Sequence, residues 1–106
     1  MSQPPSTYME FKKEYPEITK IYEELGEHCQ NAGPLTVQER AFAKLAIAVG
    51  AGLEGAVHSH ARRALDAGAS GDAIRHVVLL SLTTIGFPSM IRTLTWINDV
   101  LANPLK

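Results

Sequence analysis

Apolar residues recur at helical spacing along most of the chain. The clearest case is a stripe at i, i+3, i+4, i+7 and i+11 that consists of Ile18, Ile21, Tyr22, Leu25 and Cys29. A capping box, in which Thr36 precedes Glu39 by three residues, marks the start of a further helix. No segment shows the sustained period-two alternation of a strand. The pattern predicts an all-α fold, a single-domain helical bundle of five to six helices without a sheet.

The predicted helices form an N-terminal pair and a larger C-terminal set. The N-terminal helices fall within residues 7–31, and the core is expected over residues 36–101 of a single domain that spans residues 1–106. Within the core, Ser70 can cap a helix whose apolar spacing continues to Ile85. Pro88 suits the first turn of the last helix.

One core helix is apolar on every side. From Leu45 to Val49 it carries no polar residue, and Leu79, Leu80 and Leu82 add more apolar surface further along the chain. A helix without a polar face has to be covered on more than one side, which a domain of 106 residues can rarely do alone. We therefore expect a homo-oligomer.

Composition and charge narrow the possible partners and location. The net charge is -1, which gives no electrostatic reason to expect a nucleic acid or an acidic membrane as a partner. No apolar run reaches the roughly 20 residues that a membrane-spanning helix needs. The first residues lack the basic and apolar regions of a signal peptide. These features predict a cytoplasmic protein, with a small molecule as its possible ligand.

Two histidines fall on opposite sides of the helix predicted over residues 54–67. His58 belongs to a charged row with Glu54 and Arg62, because these residues follow one another at i, i+4 steps. His60 lies about 200° around the helix from His58. Its neighbours at helical spacing are small or apolar: Leu53, Ala56, Val57, Ala61 and Ala64. The pattern places His60 in the middle of the buried stripe, either as a core histidine bonded to a carbonyl or as the acid or base of a pocket. In the second case we expect Leu53, Ala56, Val57 and Arg63 to line that pocket.

Other residues with reactive or charged groups give weaker indications. Lys44 interrupts an apolar helix and either extends to the surface or places its ammonium in a pocket. Cys29, the only cysteine, is expected to be a small buried hydrophobe. Glu54 and His58 are close enough to share a metal ion, but no third ligand is evident, so we expect no metal site.

The segment from residue 36 to 101 resembles the carboxymuconolactone decarboxylase / alkylhydroperoxidase D family. In that family a long alanine-rich helix leads to a helix that bears a histidine, followed by an H-x-x-x-A-L-x-x-G segment and a capped turn. Here His60, Gly68 and Ser70 carry most of the match. The resemblance implies an alkylhydroperoxidase D-like helical fold that assembles as a trimer or a hexamer.

The two branches of this family differ in their chemistry. The peroxidase branch has C-x-x-C-x-x-x-H, and aligning its histidine with His60 puts its cysteines at Leu53 and Ala56. Its upstream glutamate falls near Ala41, two residues from Glu39. The chain therefore lacks the C-x-x-C pair, and dithiol peroxidase activity is not expected.

The decarboxylase branch keeps the histidine and transfers protons without a cofactor. The resemblance then implies that His60 is a general acid or base and that Arg63, one turn further, is a possible holder of a carboxylate. We weigh three hypotheses: a cofactor-free enzyme that acts on a small organic acid or lactone, a non-catalytic member that binds a ligand or serves as an assembly module, and a peroxidase that uses Cys29 alone. Whether the protein is an enzyme stays open at this level.

Overall fold

The structure is a computed structural model that describes residues 6–103, and within this range it is entirely helical and turn, without a strand. The all-α expectation is therefore confirmed. The helices of the described residues are α1 (Ser6–Glu14), α2 (Pro16–Gln30), α3 (Val37–Ala51), α4 (Glu54–Asp66), α5 (Gly71–Leu79), α6 (Leu82–Ile85) and α7 (Phe87–Ala102).

Contacts divide the chain into two compact units, the first of which holds α1 and α2. Within it, the Tyr8 hydroxyl donates a hydrogen bond of 2.5 Å to the Glu23 carboxylate, and the Lys12 ammonium lies 3.5 Å from the same group. Both contacts lower the pKa of Glu23, with the hydrogen bond from Tyr8 as the larger cause. These polar contacts join α1 to α2.

The side chains of the apolar stripe of α2 are largely exposed. Its four large members are all more than half exposed: Ile18, Ile21, Tyr22 and Leu25. Cys29 at the end of the stripe is exposed as well. The expectation that Cys29 is a buried hydrophobe is therefore wrong, because its helical spacing identified an apolar face but not whether another element covers that face.

The second unit begins with α3, and its first turn has the predicted capping box. The Thr36 hydroxyl accepts a hydrogen bond from the Glu39 backbone N–H, and the Glu39 carboxylate accepts one of 2.8 Å from the Thr36 backbone N–H. These bonds, the backbone one first, lower the pKa of Glu39. The helix ends at Ala51 and is capped by Gly52, whose φ of 68° lies in the left-handed region that favours glycine.

The uniformly apolar helix is covered on one side only. Leu45, Ala48 and Val49 are buried, whereas Ile47 is 68% exposed. The buried side belongs to a core to which α3, α4, α5 and α7 contribute. Its members are Leu45, Ala48, Val49, Val57, Ala61, Ala64, Ala69, Ile74, Val78, Met90, Ile97 and Val100.

The helix predicted from Ser70 to Ile85 is interrupted. Ser70 caps it as expected, with its hydroxyl accepting a hydrogen bond from the Ala73 backbone N–H. At its end the Ser81 backbone N–H bonds to the Val78 carbonyl, one residue closer than in an α-helix, and the Ser81 hydroxyl donates to the same carbonyl at 2.6 Å. These two hydrogen bonds from Ser81 to the same carbonyl tighten the turn and separate α5 from α6.

The helices that the structure describes were compared with the length and hydropathy of a membrane span. None of them is both long enough and apolar enough to cross a bilayer.

Candidate functional site

The helix α4 carries most of the predicted site residues. Its buried stripe consists of Val57, Ala61 and Ala64, all fully enclosed. Two of the three are alanines, whose small side chains let neighbouring helices approach closely. The helix α4 packs mainly against α3 and also against α7. Side chains at the two margins of this stripe therefore lie where α4 meets its neighbours.

His60 lies at one margin of the stripe and is half-buried. The expectation that it stands in the middle of the buried stripe is therefore wrong, since the fully enclosed positions are those of Val57, Ala61 and Ala64. The difference arises because the angular spacing fixes which side of α4 faces inward but not how far the neighbouring helix covers each margin.

The electrostatic environment of His60 is positive. Its pKa is lowered below the ordinary value, first by partial burial and then by the positive charges of Arg63 and Lys44. Burial disfavours the charged imidazolium, and like charges nearby disfavour it further. The imidazole is therefore held more firmly in its neutral form than a solvent-exposed histidine.

Lys44, His60 and Arg63 together form what we call the basic cluster. Arg63 lies one turn after His60 on α4, whereas Lys44 comes from α3, and both cationic side chains are exposed. The connection between α3 and α4 consists of only Gly52 and Leu53, which packs the two helices side by side. Sequence reasoning named each of the three residues but did not join Lys44 to His60, because they stand sixteen residues apart.

The basic cluster has the groups that proton transfer on an anionic molecule requires. A neutral imidazole can accept a proton, and two exposed cations can hold a carboxylate by charge-assisted hydrogen bonds. The cations also lower the free energy of a negative charge that develops near the imidazole.

The opposite margin of α4 holds the charged row of Glu54, His58 and Arg62. The predicted pairing of Glu54 with His58 is present, with 3.8 Å between the carboxylate and Nε2. His58 Nε2 and Arg62 Nε are both buried without a hydrogen-bond partner. His58 is thus less accessible to water than a residue in a row of charges on the surface. It lies on the other side of α4 from His60 and is not part of the basic cluster.

The residues predicted to line a pocket with His60 differ in accessibility. Leu53 is 57% exposed, Ala56 is half-buried and Val57 is fully enclosed. Leu53 precedes α4 in an extended conformation, and its carbonyl accepts the hydrogen bond from the Val57 backbone N–H. That these residues form one pocket wall stays a prediction.

Two other predictions concern an acidic residue and a metal ion. Glu39, the acidic residue nearest to the family's glutamate position, uses its carboxylate in the capping box. Among residues 6–103, no group of three histidine, cysteine, aspartate or glutamate side chains is arranged to hold a metal ion.

Comparison with known families extends the resemblance along the chain. The model of the Carboxymuconolactone decarboxylase family matches residues 16–99, from the start of α2 to near the end of α7. No curated protein and no solved structure matches the chain significantly. The matched stretch includes α2, which the resemblance over residues 36–101 left out.

Proposed function

The chain belongs to the carboxymuconolactone decarboxylase family, and we propose that it is a cofactor-free enzyme that transfers a proton on a small organic acid or lactone. His60 is the general acid or base, and Lys44 and Arg63 hold the carboxylate of the substrate. The observation that carries the proposal is the basic cluster itself, a half-buried histidine on which two cations from two helices act.

The proposed reaction starts with neutral His60. The imidazole removes a proton from a carbon next to a carbonyl group, and the electron pair of that C–H bond passes to the carbonyl oxygen. The positive charges of Lys44 and Arg63 stabilise the anion that results. The electron pair then returns from the oxygen, and the protonated imidazole delivers a proton to the same carbon or, where a C=C double bond is conjugated with the carbonyl group, to the far carbon of that system as the double bond shifts. Either outcome leaves His60 neutral again.

Isotope exchange tests this proposal without knowledge of the natural substrate. The probes are 5-oxotetrahydrofuran carboxylic acids, which combine a lactone with a carboxylate, and their methyl esters as uncharged controls. The protein is incubated with each probe in D2O, and the loss of the exchangeable C–H signal is followed by proton NMR. We expect exchange with the acids and much less with the esters.

Substitutions on α4 provide matched controls. His60→Gln is expected to abolish the exchange, and His58→Gln, two residues away on the same helix, to leave it nearly unchanged. Lys44→Met and Arg63→Met should raise the concentration of acid that half-saturates the exchange. If His60→Gln keeps the wild-type exchange rate while His58→Gln abolishes it, the assignment to His60 is wrong.

A second candidate is a non-catalytic member that acts through assembly. It is favoured by the exposed apolar side chains, which include Ile21 on α2 and Ile47 on α3. We propose in either case that the chain forms a homo-oligomer, a trimer or hexamer, in the cytoplasm. Light scattering at micromolar concentration tests the assembly, and a monomer under these conditions contradicts it.

The third hypothesis, a peroxidase with a single thiol, rests on the exposure of Cys29 alone. Leu53 and Ala56 occupy the cysteine positions of the peroxidase branch and cannot form a disulfide. Reduction of organic hydroperoxides that is lost in Cys29→Ser would favour this hypothesis over proton transfer.

A further inference from the structure

Two nitrogen atoms on the charged row of α4 lack the hydrogen bonds that buried polar atoms normally make. His58 Nε2 and Arg62 Nε are both enclosed, and neither has a hydrogen-bond partner among the described residues. Native proteins satisfy nearly all of their buried polar atoms, so each exception calls for an explanation. Two such atoms one helical turn apart indicate one missing group that bonds to both.

The chemistry of the two side chains identifies the missing group as an oxyanion. The guanidinium of Arg62 carries a permanent positive charge, and its Nε–H can only donate a hydrogen bond. The imidazole of His58 also donates from Nε2 when that nitrogen carries the proton. A negatively charged oxygen, as in a carboxylate or a phosphate, accepts from both donors and offsets the charge of the half-buried guanidinium.

The carboxylates of α4 do not supply this oxyanion. Glu54 Oε2 lies 3.8 Å from His58 Nε2, which is too long for a hydrogen bond. Asp66, one turn after Arg62, provides no acceptor for Arg62 Nε. Because Glu54, His58 and Arg62 project from one helix at i, i+4 steps, their mutual positions follow from the helix itself. The acceptor therefore comes from outside residues 6–103.

Glu54 is also the side chain that can give way to such an ion. Both nitrogen atoms are enclosed, so an ion reaches them only when a side chain beside them moves. The side chain of Glu54 is 58% exposed, against 25% for His58, and can turn into the solvent at little cost. The carboxylate of Glu54 thus stands in for the oxyanion near Nε2, at a distance that forms no hydrogen bond.

We propose that His58 and Arg62 form a second binding site, for the carboxylate or phosphate group of a small molecule, on the other side of α4 from His60. The ion displaces the carboxylate of Glu54 and accepts hydrogen bonds from His58 Nε2 and Arg62 Nε. The site binds its ligand without a chemical step, and it does not depend on the role of His60.

Side-chain NMR of the full-length chain observes this site directly. The sequence contains five arginines, each with one Nε–H signal, and Arg62→Lys identifies the signal of Arg62. Sodium acetate and inorganic phosphate are titrated separately near neutral pH, with the ionic strength held constant by sodium chloride. We expect the Arg62 Nε–H and the His58 Cε1–H to shift with one common dissociation constant. Saturation by acetate indicates a carboxylate ligand, and saturation by phosphate indicates a phosphate ester. Shifts that do not saturate with either ion, or that are equal for all the arginines, overturn the proposal.

Substitutions with a matched control test the role of each group. Arg62→Lys keeps the positive charge but loses the Nε–H, so it should raise the dissociation constant read from His58 at least about tenfold. Glu54→Gln should lower the constant about threefold, because no negative charge then competes for Nε2. Arg75→Lys, the same change at an arginine that already bonds to Asn98, should leave the constant unchanged. Wild-type affinity in Arg62→Lys overturns the site.

The folding of each variant is verified by circular dichroism. If Arg62→Lys does not fold, Glu54→Gln and the wild-type titration decide, and an unchanged constant in Glu54→Gln overturns the proposal.

Two further results separate this proposal from the catalytic one. His60→Gln should keep the wild-type titration at His58 even where it has lost proton exchange. A wild-type chain in which neither ion shifts the Arg62 signal overturns the second site and leaves the assignment of His60 untouched.

Discussion

The connection between α3 and α4 places Lys44 beside α4, and two glycines near it should respond to alanine in opposite ways. Gly52 has a φ of 68°, and a Cβ there would lie 3.2 Å from Nη2 of Arg92. Gly50 lies two residues earlier within α3, where a Cβ would meet no atom within 4 Å. A methyl group is therefore unfavourable at Gly52 and meets no steric hindrance at Gly50.

The left-handed backbone dominates the effect of Gly52→Ala. An L-residue at such a φ lowers the stability of the folded chain by about 1 kcal/mol. This cost comes from the Cβ atom and the local backbone, so movement of neighbouring side chains does not remove it. The contact with Arg92 adds less, because a guanidinium at the end of a flexible side chain can move. Its guanidinium carbon now lies 5.0 Å from the centroid of the Trp96 ring, and loss of that exposed stacking costs roughly 0.5 kcal/mol.

We therefore expect Gly52→Ala to lower the free energy of unfolding by about 1–2 kcal/mol. Gly50→Ala should raise it by about 0.5 kcal/mol, because alanine loses less backbone entropy in a helix. Urea unfolding followed by circular dichroism, at one fixed protein concentration, measures both values. Each kcal/mol corresponds to a change in Tm of roughly 4–8 °C for a chain of this size.

The background Arg92→Ala separates the two contributions. In this background Gly52→Ala should lower the free energy of unfolding only by the contribution of the left-handed backbone, about 1 kcal/mol. The reasoning is refuted if Gly52→Ala is as stable as the wild type, or if Gly50→Ala destabilises the protein as much as Gly52→Ala does.

Three further predictions follow from the core, the cap of α3 and the titration of His60. Thr36→Ala removes the hydroxyl that accepts from Glu39 and should cost about 1 kcal/mol in urea unfolding, with an unchanged stability arguing against the capping box. Ile97→Ala, at a fully enclosed position, should cost about 2–5 kcal/mol, whereas the partly exposed Ile91→Ala should cost less than half as much by the same assay. Because the pKa of His60 is lowered in the folded chain, the unfolded chain takes up the proton at a higher pH than the folded chain does. The contribution of His60 to the free energy of unfolding should therefore be complete above pH 6.5 and fall as the pH drops from 6.5 toward the lowered pKa. His60→Gln should remove this part of the pH dependence, and an identical pH profile of wild type and variant would show that the imidazole does not titrate differently on folding.

The sequence was sufficient to predict a helix boundary where that boundary depends only on residues nearby in the chain. Thr36 and Ser70 cap helices as their positions predict, because a capping hydroxyl needs only the backbone N–H groups of the next turn. The break after Leu79 was missed, since the side chains on both sides keep helical spacing and the Ser81 bond to Val78 is one of several conformations open to a serine.

The sequence by itself determined that the chain is helical, where most helices begin and which side of each is apolar, since all three depend on contacts within one or two turns. It also marked His60 as a histidine on the apolar side of α4 through its spacing from Val57 and Ala64. Only the tertiary structure decided how deeply each apolar side is covered. In the structure Cys29 and Ile47 are exposed, and His60 lies at the margin of the buried stripe, where the charge of Lys44 helps to lower its pKa. Burial and the proximity of charges depend on how separate helices pack and not on the spacing within one helix.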